Sequence, residues 1–376
     1  MGLGLLLAAM TSTVTATAAA PRIDLITIGV GEAAYATFGH AALRVVEADG
    51  TDTAYNFGGV DMEQPNFWMR LVQGRIEAYL KVTPYSDLLL EYSAEDRTIV
   101  GRTLRFEPEV ARAIVKDLEE NAKPENRTYL YHHIFDNCTT RIAQLLDRHL
   151  DGRLKTHAGQ PVPGTHRDWI LDRVRWKPAT YLAMDLMGNG MGDVPIVAWD
   201  TIFIPEAVDA IIDSARFDGQ PFVVRKFTEY RSLSYTDMPP WDWPWLKVYL
   251  LLGLPLILLG VWRPTLGARI VGALWGSMGL VYTAFWLLSE YDFYHANWNM
   301  LVFPPLHLAL VVLARRAIAR TYLMAHVAVL LLLALLVASG AIVQSIGPMI
   351  TLALLCEAPL LGRMVVDWVV LTRRAA

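Results

Sequence analysis

Cysteine is almost absent: the 376 residues hold two, Cys138 and Cys356. A disulfide framework is therefore excluded, and a bridge between the two is geometrically implausible because Cys356 sits inside an apolar run and Cys138 does not. Long basic tracts are missing as well. With 33 Lys and Arg against 37 Asp and Glu, the formal net charge is −4, and no basic face exists to supply the electrostatic term of nucleic-acid binding. Charge is also scarce in the C-terminal third. It is dense up to about Asp242, whereas from Trp245 apolar runs dominate and charges gather in short clusters between them. That shift in composition marks a boundary between a soluble unit and a membrane unit.

Five runs approach the length needed to cross a bilayer: residues 245–262, 270–288, 300–314, 322–343 and 349–370. The third carries Pro304, Pro305 and His307, and the fifth carries Glu357, Arg363 and Asp367; such groups are tolerated where they face other helices or a wet cavity. Lys and Arg placement sets the topology. Arg263 and Arg269 lie between the first two runs, Arg315, Arg316 and Arg320 between the third and fourth, and Arg373 and Arg374 after the fifth. The connections 289–299 and 344–348 hold neither Lys nor Arg. Basic loops are cytoplasmic by the positive-inside rule, so the remaining loops and the whole domain before Trp245 are external. Trp241, Trp243 and Trp245, interleaved with prolines, read as an interfacial aromatic belt. Residues 1–20 read as an export signal or an uncleaved N-terminal anchor, although the usual positive n-region is missing. The expected organisation is thus 1–20 signal or anchor, 21–240 periplasmic domain and 241–376 membrane domain.

In the soluble half, alternation predicts two strands around a Gly-rich turn between Ile23 and Val46, and a third strand at 53–57. Helical periodicity follows at 108–121 and again from Cys138 to about Leu150, with a strand-like run and a helix within 200–215. The fold class is α+β: a small antiparallel sheet packed on helices, followed by an all-α transmembrane bundle.

The run YHHIFDNCTTR, 131–141, is the chemical centre of the sequence. Asp136 and Asn137 are strong N-cap types, so Cys138 falls in the first turn of a helix, where free N–H groups and the macrodipole favour a thiolate and offer an oxyanion site. An acyl-accepting thiol needs an imidazole base, and His40 in FGHAALR, flanked by small residues, is the best candidate. The competing reading is a buried small hydrophobe and a core histidine. His132 and His133 lack partners at metal-ligand spacing, so no metal site is expected.

GEAAYATFGHAALRV, YNFGG at 55–59 and DNCTTR, joined to a multi-span module, together resemble the Lnb-type family of bacterial lipoprotein N-acyltransferases. The resemblance extends to PGTHRDWI at 163–170, LMGNGMGD at 186–193, IFIP at 202–205 and the external HANWNMLVFPP at 295–305. A His-bearing strand followed by a Cys-bearing helix also resembles permuted papain-like folds of the NlpC/P60 and lecithin:retinol acyltransferase type. What this implies is a Cys138 nucleophile and a His40 base, with Tyr55 and Asn56 as candidates for orienting the imidazole. Asn137 and Thr139 flank the thiol. Arg44 and Arg141 are candidates for holding a phosphate or carboxylate, with structural ion pairs to Glu32, Asp136 or another carboxylate as the alternative. His295, Asn297 and Asn299 are candidates for closing the site from the membrane side, against the alternative of an ordinary wet loop. The implied reaction moves an acyl chain from a phospholipid, through a cysteine thioester, to the amine of a lipoprotein acceptor, with no cofactor. The rival readings are a membrane-tethered cysteine peptidase or amidase and a non-catalytic envelope assembly protein.

Overall fold

The structure is a computed structural model that describes residues 19–234 and 244–375. Most of the candidate signal segment, and Trp241 and Trp243 of the expected aromatic belt, lie outside the described residues.

Seven antiparallel strands form the sheet of the N-terminal domain: β1 (Arg22–Ile28), β2 (His40–Val46), β3 (Asp52–Val60), β4 (Glu77–Pro84), β5 (Ile99–Leu104), β6 (Thr128–Leu130) and β7 (Val223–Tyr230). Their spatial order is β7-β5-β1-β2-β3-β4-β6. The register of β1 on β2 runs from Arg22 opposite Val46 to Ile28 opposite His40, so the histidine starts its strand beside the end of β1. Period-2 alternation gives the sheet two apolar faces. On one, Leu25, Leu43, Tyr55 and Leu80 pack against α3 (Pro108–Asn121), α4 (Cys138–Arg148) and α5 (Pro205–Ser214). On the other, Ile26, Ala42 and Ala54 meet Leu88 and Tyr92 of α2 (Tyr85–Ala94).

The first three strands and α3 follow the expected pattern, the helix opening with Pro108 at its first position, where a missing N–H costs nothing. One expectation changes. The apolar run after Asp200 is not a strand: Ala198–Thr201 is a 3₁₀ turn, and Pro205 opens α5 directly. Phe203 and Ile204 are apolar because they are buried with Ile134 and Phe293 in a small core between the two domains.

Among the described residues, three helices of the membrane domain are long and apolar enough to cross a bilayer: Pro264–Leu288, Ala317–Ala338 and Gly347–Arg374. A further pair, Asp292–Val302 and Pro305–Leu313, is long and apolar enough only when taken together, as a broken span or a re-entrant loop bent by 45°. The break falls at Pro304 and Pro305, which cannot donate to a continuous helix. The first expected run forms the helix Trp245–Trp262 with Pro255 inside it; its apolar stretch Lys247–Trp262 is shorter than the others. Small residues on Pro264–Leu288 let the broken span press on its backbone. A Cβ at Gly279 would lie 2.3 Å from the Phe303 carbonyl oxygen, and one at Gly276 would lie 2.6 Å from the Leu308 nitrogen.

The two domains meet through the external connection after Leu288. The Tyr291 hydroxyl donates to the Tyr131 carbonyl at 2.6 Å, Arg75 pairs with Glu290, and the His133 and Tyr291 rings lie 5.2 Å apart. Segment 131–141 therefore stands on the membrane domain.

Candidate active site at the start of the Cys138 helix

Asn137 caps α4 through its side chain. Its Oδ1 accepts from the Thr139 and Thr140 amides at 3.0 and 2.9 Å, and its Nδ2 donates to the His133 and Phe203 carbonyls. All of the side chain's bonding capacity serves the turn, so Asn137 positions Cys138 and has no atom left for a ligand. The cap also consumes two of the amides expected to hold an oxyanion. The N–H of Cys138 itself remains, with no hydrogen-bond acceptor among the described residues.

His40 approaches the thiol from the start of β2, close enough that each side chain shifts the other's proton affinity. The glycine between them makes this possible. β3 slips out of register with β4 between Asn56 and Gly59, and Gly58 there adopts φ +93°, with a would-be Cβ 3.5 Å from both Cys138 Cβ and His40 Cε1. A residue with a side chain would be strained in that backbone, and its Cβ would sit in van der Waals contact with both members of the dyad. Behind the imidazole, His40 Nε2 and Asn56 Oδ1 are 2.5 Å apart. The amide oxygen can only accept, so Nε2 carries a proton and Nδ1 is the nitrogen left for the sulfur. Asn56 Nδ2 donates in turn to the Tyr92 hydroxyl at 3.2 Å.

Burial alone would push the Cys138 thiol up, yet it is lowered to about 7. The charge of the nearby His40 imidazolium does most to outweigh the burial, helped by the Thr139 hydroxyl, 3.5 Å from Sγ, and by the Ala41 amide. Burial likewise disfavours a charged His40, but the thiolate and Asn56 together raise its pKa above the ordinary value. The pair is thus arranged to hold a thiolate beside an imidazolium near neutral pH.

Of the two orienting candidates, Asn56 lies behind His40 and Tyr55 does not. Neighbours on a strand point to opposite faces, and Tyr55 faces the core with Leu43 and Leu80. The arginines are spent on ion pairs. Arg44 makes a two-pronged contact with Asp52 at 2.8 and 2.6 Å, and Arg141 does the same with Asp136 at 2.6 and 2.8 Å. Neither has a free fork for a phosphate. None of His295, Asn297 and Asn299 contacts the dyad among the described residues; the two asparagines bind the two domains together, and the His295 side chain bonds within its own loop. Asn297 Nδ2 donates to the Met187 carbonyl at 2.9 Å, Asn299 Nδ2 donates to the Leu186 carbonyl, and His295 Nε2 bonds to the Ser289 carbonyl at 2.7 Å. The two asparagines clasp the 186–193 stretch, whose Asn189 in turn donates to the Asp292 and His295 carbonyls.

Sequence reasoning missed Tyr129. Its ring lies under Arg141, with the guanidinium 3.6 Å from the centroid, and its hydroxyl is buried with no hydrogen-bond partner among the described residues. That oxygen lies 3.9 Å from a would-be Cβ at Gly58, on the thiol side of the site. Burial and the nearby sulfur push the phenol far up, so it stays protonated as a donor. The only signal for it in the sequence is the alternation of Tyr129 and Tyr131 just before the His pair.

His132 and His133 form no metal set: His132 Nδ1 accepts from the Ile134 and Phe135 amides, and burial lowers His133 to about 4. One group among the described residues has metal-ligand chemistry, His307, His326 and Glu357 in the membrane domain, with ligand atoms within 4.8 Å of one another. Those atoms are already paired. His307 bonds Glu357 and the Tyr322 hydroxyl at 3.2 and 2.8 Å, and His326 bonds Glu357 and the Leu301 carbonyl at 2.7 and 3.1 Å.

Compared with known families, residues 10–171 match the Lnb N-terminal periplasmic domain and residues 245–373 match the Lnb transmembrane domain. No curated protein and no solved structure matches the chain.

Proposed function

Because the chain belongs to the Lnb-type family and is a multi-pass inner-membrane protein with a periplasmic domain, we propose that it is a lipoprotein N-acyltransferase working through Cys138. The observation that carries this reading is the Cys138 and His40 side chains meeting over Gly58, with Asn56 behind the imidazole, on a segment seated against the membrane domain.

The Cys138 thiolate attacks the ester carbonyl of an outer-leaflet phospholipid. The carbonyl oxygen becomes an oxyanion facing two donors, the Cys138 N–H and the Tyr129 hydroxyl. The C–O bond breaks, His40 gives its proton to the departing glyceride oxygen, and a thioester remains. The α-amino group of a diacylglyceryl-cysteine then attacks the thioester, His40 accepts the amine's proton, and the thiolate leaves. Ester energy passes through the thioester to the amide, so no nucleotide is consumed. Asn56 keeps the imidazole in the tautomer that both steps need. The membrane domain brings two bilayer-resident substrates to a thiol held on a soluble fold, a service that a peptidase with soluble substrates does not require.

The test is to incubate the full-length protein in vesicles with acyl-labelled phospholipid, or with an acyl-labelled diacylglyceryl peptide, and to look for a hydroxylamine-labile label on Cys138. Label from phospholipid that moves on to the amine of a diacylglyceryl-cysteine peptide is the expected result. Label arriving from the glyceride alone would replace the donor. Label from neither, or undiminished N-acylation by Cys138→Ser, would remove acyl transfer altogether.

A further inference from the structure

The helix α1, Phe67–Gln73, has the sequence FWMRLVQ and none of its residues is buried. Trp68 is 74% exposed and Met69 51%, and Met62 in the preceding loop is 61% exposed. In a water-facing helix such side chains are costly, and clustered exposed apolar side chains mark a contact surface.

The position of α1 identifies the contact. The Gln73 carbonyl accepts from the Glu290 amide at 2.8 Å, two residues past the end of the span Pro264–Leu288. Arg75 Nε donates to the Glu290 carboxylate at 2.8 Å. Gly74, with φ +71°, lies so close to the Tyr291 ring that a Cβ would come within 2.9 Å of it. The helix is therefore tied to the point where that span leaves the hydrocarbon. The last turn of the same span shows Trp286, Leu287 and Leu288 to the outside, Leu287 at 78% exposure. The apolar surface of α1 continues this belt, where aromatic side chains settle at the headgroup level.

We propose that α1 lies in the outer-leaflet interface, with Trp68 and Met69 inserted among phospholipid head groups and upper acyl chains. Insertion is apolar rather than electrostatic, since Arg70 is committed to Glu77 at 2.9 Å and Arg75 to Glu290. The helix also follows the strand that carries Gly58, so the immersed segment and the thiol site are joined by a short stretch of one chain. The placement is independent of whether Cys138 transfers acyl groups.

Site-directed spin labelling of the full-length protein in phospholipid vesicles tests this. In a Cys138→Ser, Cys356→Ser background, nitroxides are placed at Trp68→Cys, at Met69→Cys and, as a reference, at Leu90→Cys on α2, where Leu90 is 72% exposed. Immersion predicts a several-fold higher ratio of oxygen to nickel-chelate accessibility at 68 and 69 than at 90, unchanged by raising the salt. Equal ratios at all three positions would overturn the proposal. So would spectral broadening at 68 that disappears on dilution with unlabelled protein, because a second copy of the chain would then be the occupant. The paired labels at 68 and 69 keep the result readable if either substitution disturbs folding.

Discussion

Two buried polar clusters in this chain, one in each domain, draw on similar side chains and differ in how fully they are satisfied. In the membrane domain, His307, His326, Glu357 and Tyr322 are bonded to one another and to the Leu301 carbonyl, leaving no ring nitrogen or carboxylate oxygen without a partner. His326 bonds the Glu357 carboxyl group through one ring nitrogen and the Leu301 carbonyl through the other. This network fastens the bent third span to the fourth and fifth, where apolar contact alone gives little preference for protein over lipid. The cluster around Cys138 is incomplete: the Cys138 N–H and the Tyr129 hydroxyl have no partners among the described residues. Unmet hydrogen bonds cost stability. In the proposed reaction, a site that keeps them beside the thiol has donors ready for a charge that exists only during the transfer.

The sharpest way to break the comparison is Cys138→Ser, expected to lower acyl transfer by on the order of 10³-fold or more while leaving the thermal unfolding midpoint in detergent nearly unchanged. Glu357→Gln should do the reverse. It disturbs the buried bonds of Glu357 to His307 and His326, and a loss of about 3 kcal/mol is expected from a broken buried pair, read as a lower unfolding midpoint. The pH dependence of Cys138 alkylation should stay the same in that variant; a shift would mean that the two clusters communicate. Tyr129→Phe removes one unpartnered hydroxyl and should cost about 10²-fold in turnover if it faces the oxyanion, with stability equal to or above that of the parent. A smaller effect is expected from His40→Ala on iodoacetamide labelling of Cys138. In the parent the thiol loses its proton around pH 7, so reactivity climbs through neutrality. Without the imidazolium, only the Thr139 hydroxyl and the Ala41 amide oppose burial, the midpoint moves up, and labelling at pH 7 slows several-fold.

What could be read along the chain was whatever depends on neighbours in sequence. Asn137 before Cys138 is a capping signal within one turn, and the structure shows that cap. The proline pair at 304 and 305 foretold a faulty third span, and the bend is there. What depends on distant partners was hidden. Tyr55 and Asn56 are adjacent, so a sequence cannot say which one faces the imidazole until the sheet's two faces are assigned. The ion pairs of Arg44 with Asp52 and Arg141 with Asp136 were open alternatives to ligand binding, and only side-chain geometry decides between them. The polar residues 295, 297 and 299 looked available because their partners, the carbonyls of 186–188 for the two asparagines, are more than a hundred residues away. Strands β4, β5, β6 and β7 went unread. On β7 the cause is visible: it is an edge strand with a largely exposed, charged sequence, VVRKFTEY, that lacks a strong alternating signal.

The clamp of Tyr291 on Tyr131, with Glu290 on Arg75, fixes how far the sulfur stands from the end of a membrane helix. Such an arrangement behaves as a depth gauge. Glycerol ester carbonyls sit at nearly the same level in lipids whose tails differ widely, so a thiol at constant elevation would sort its targets by where the carbonyl lies in the leaflet and stay indifferent to the carbons below it.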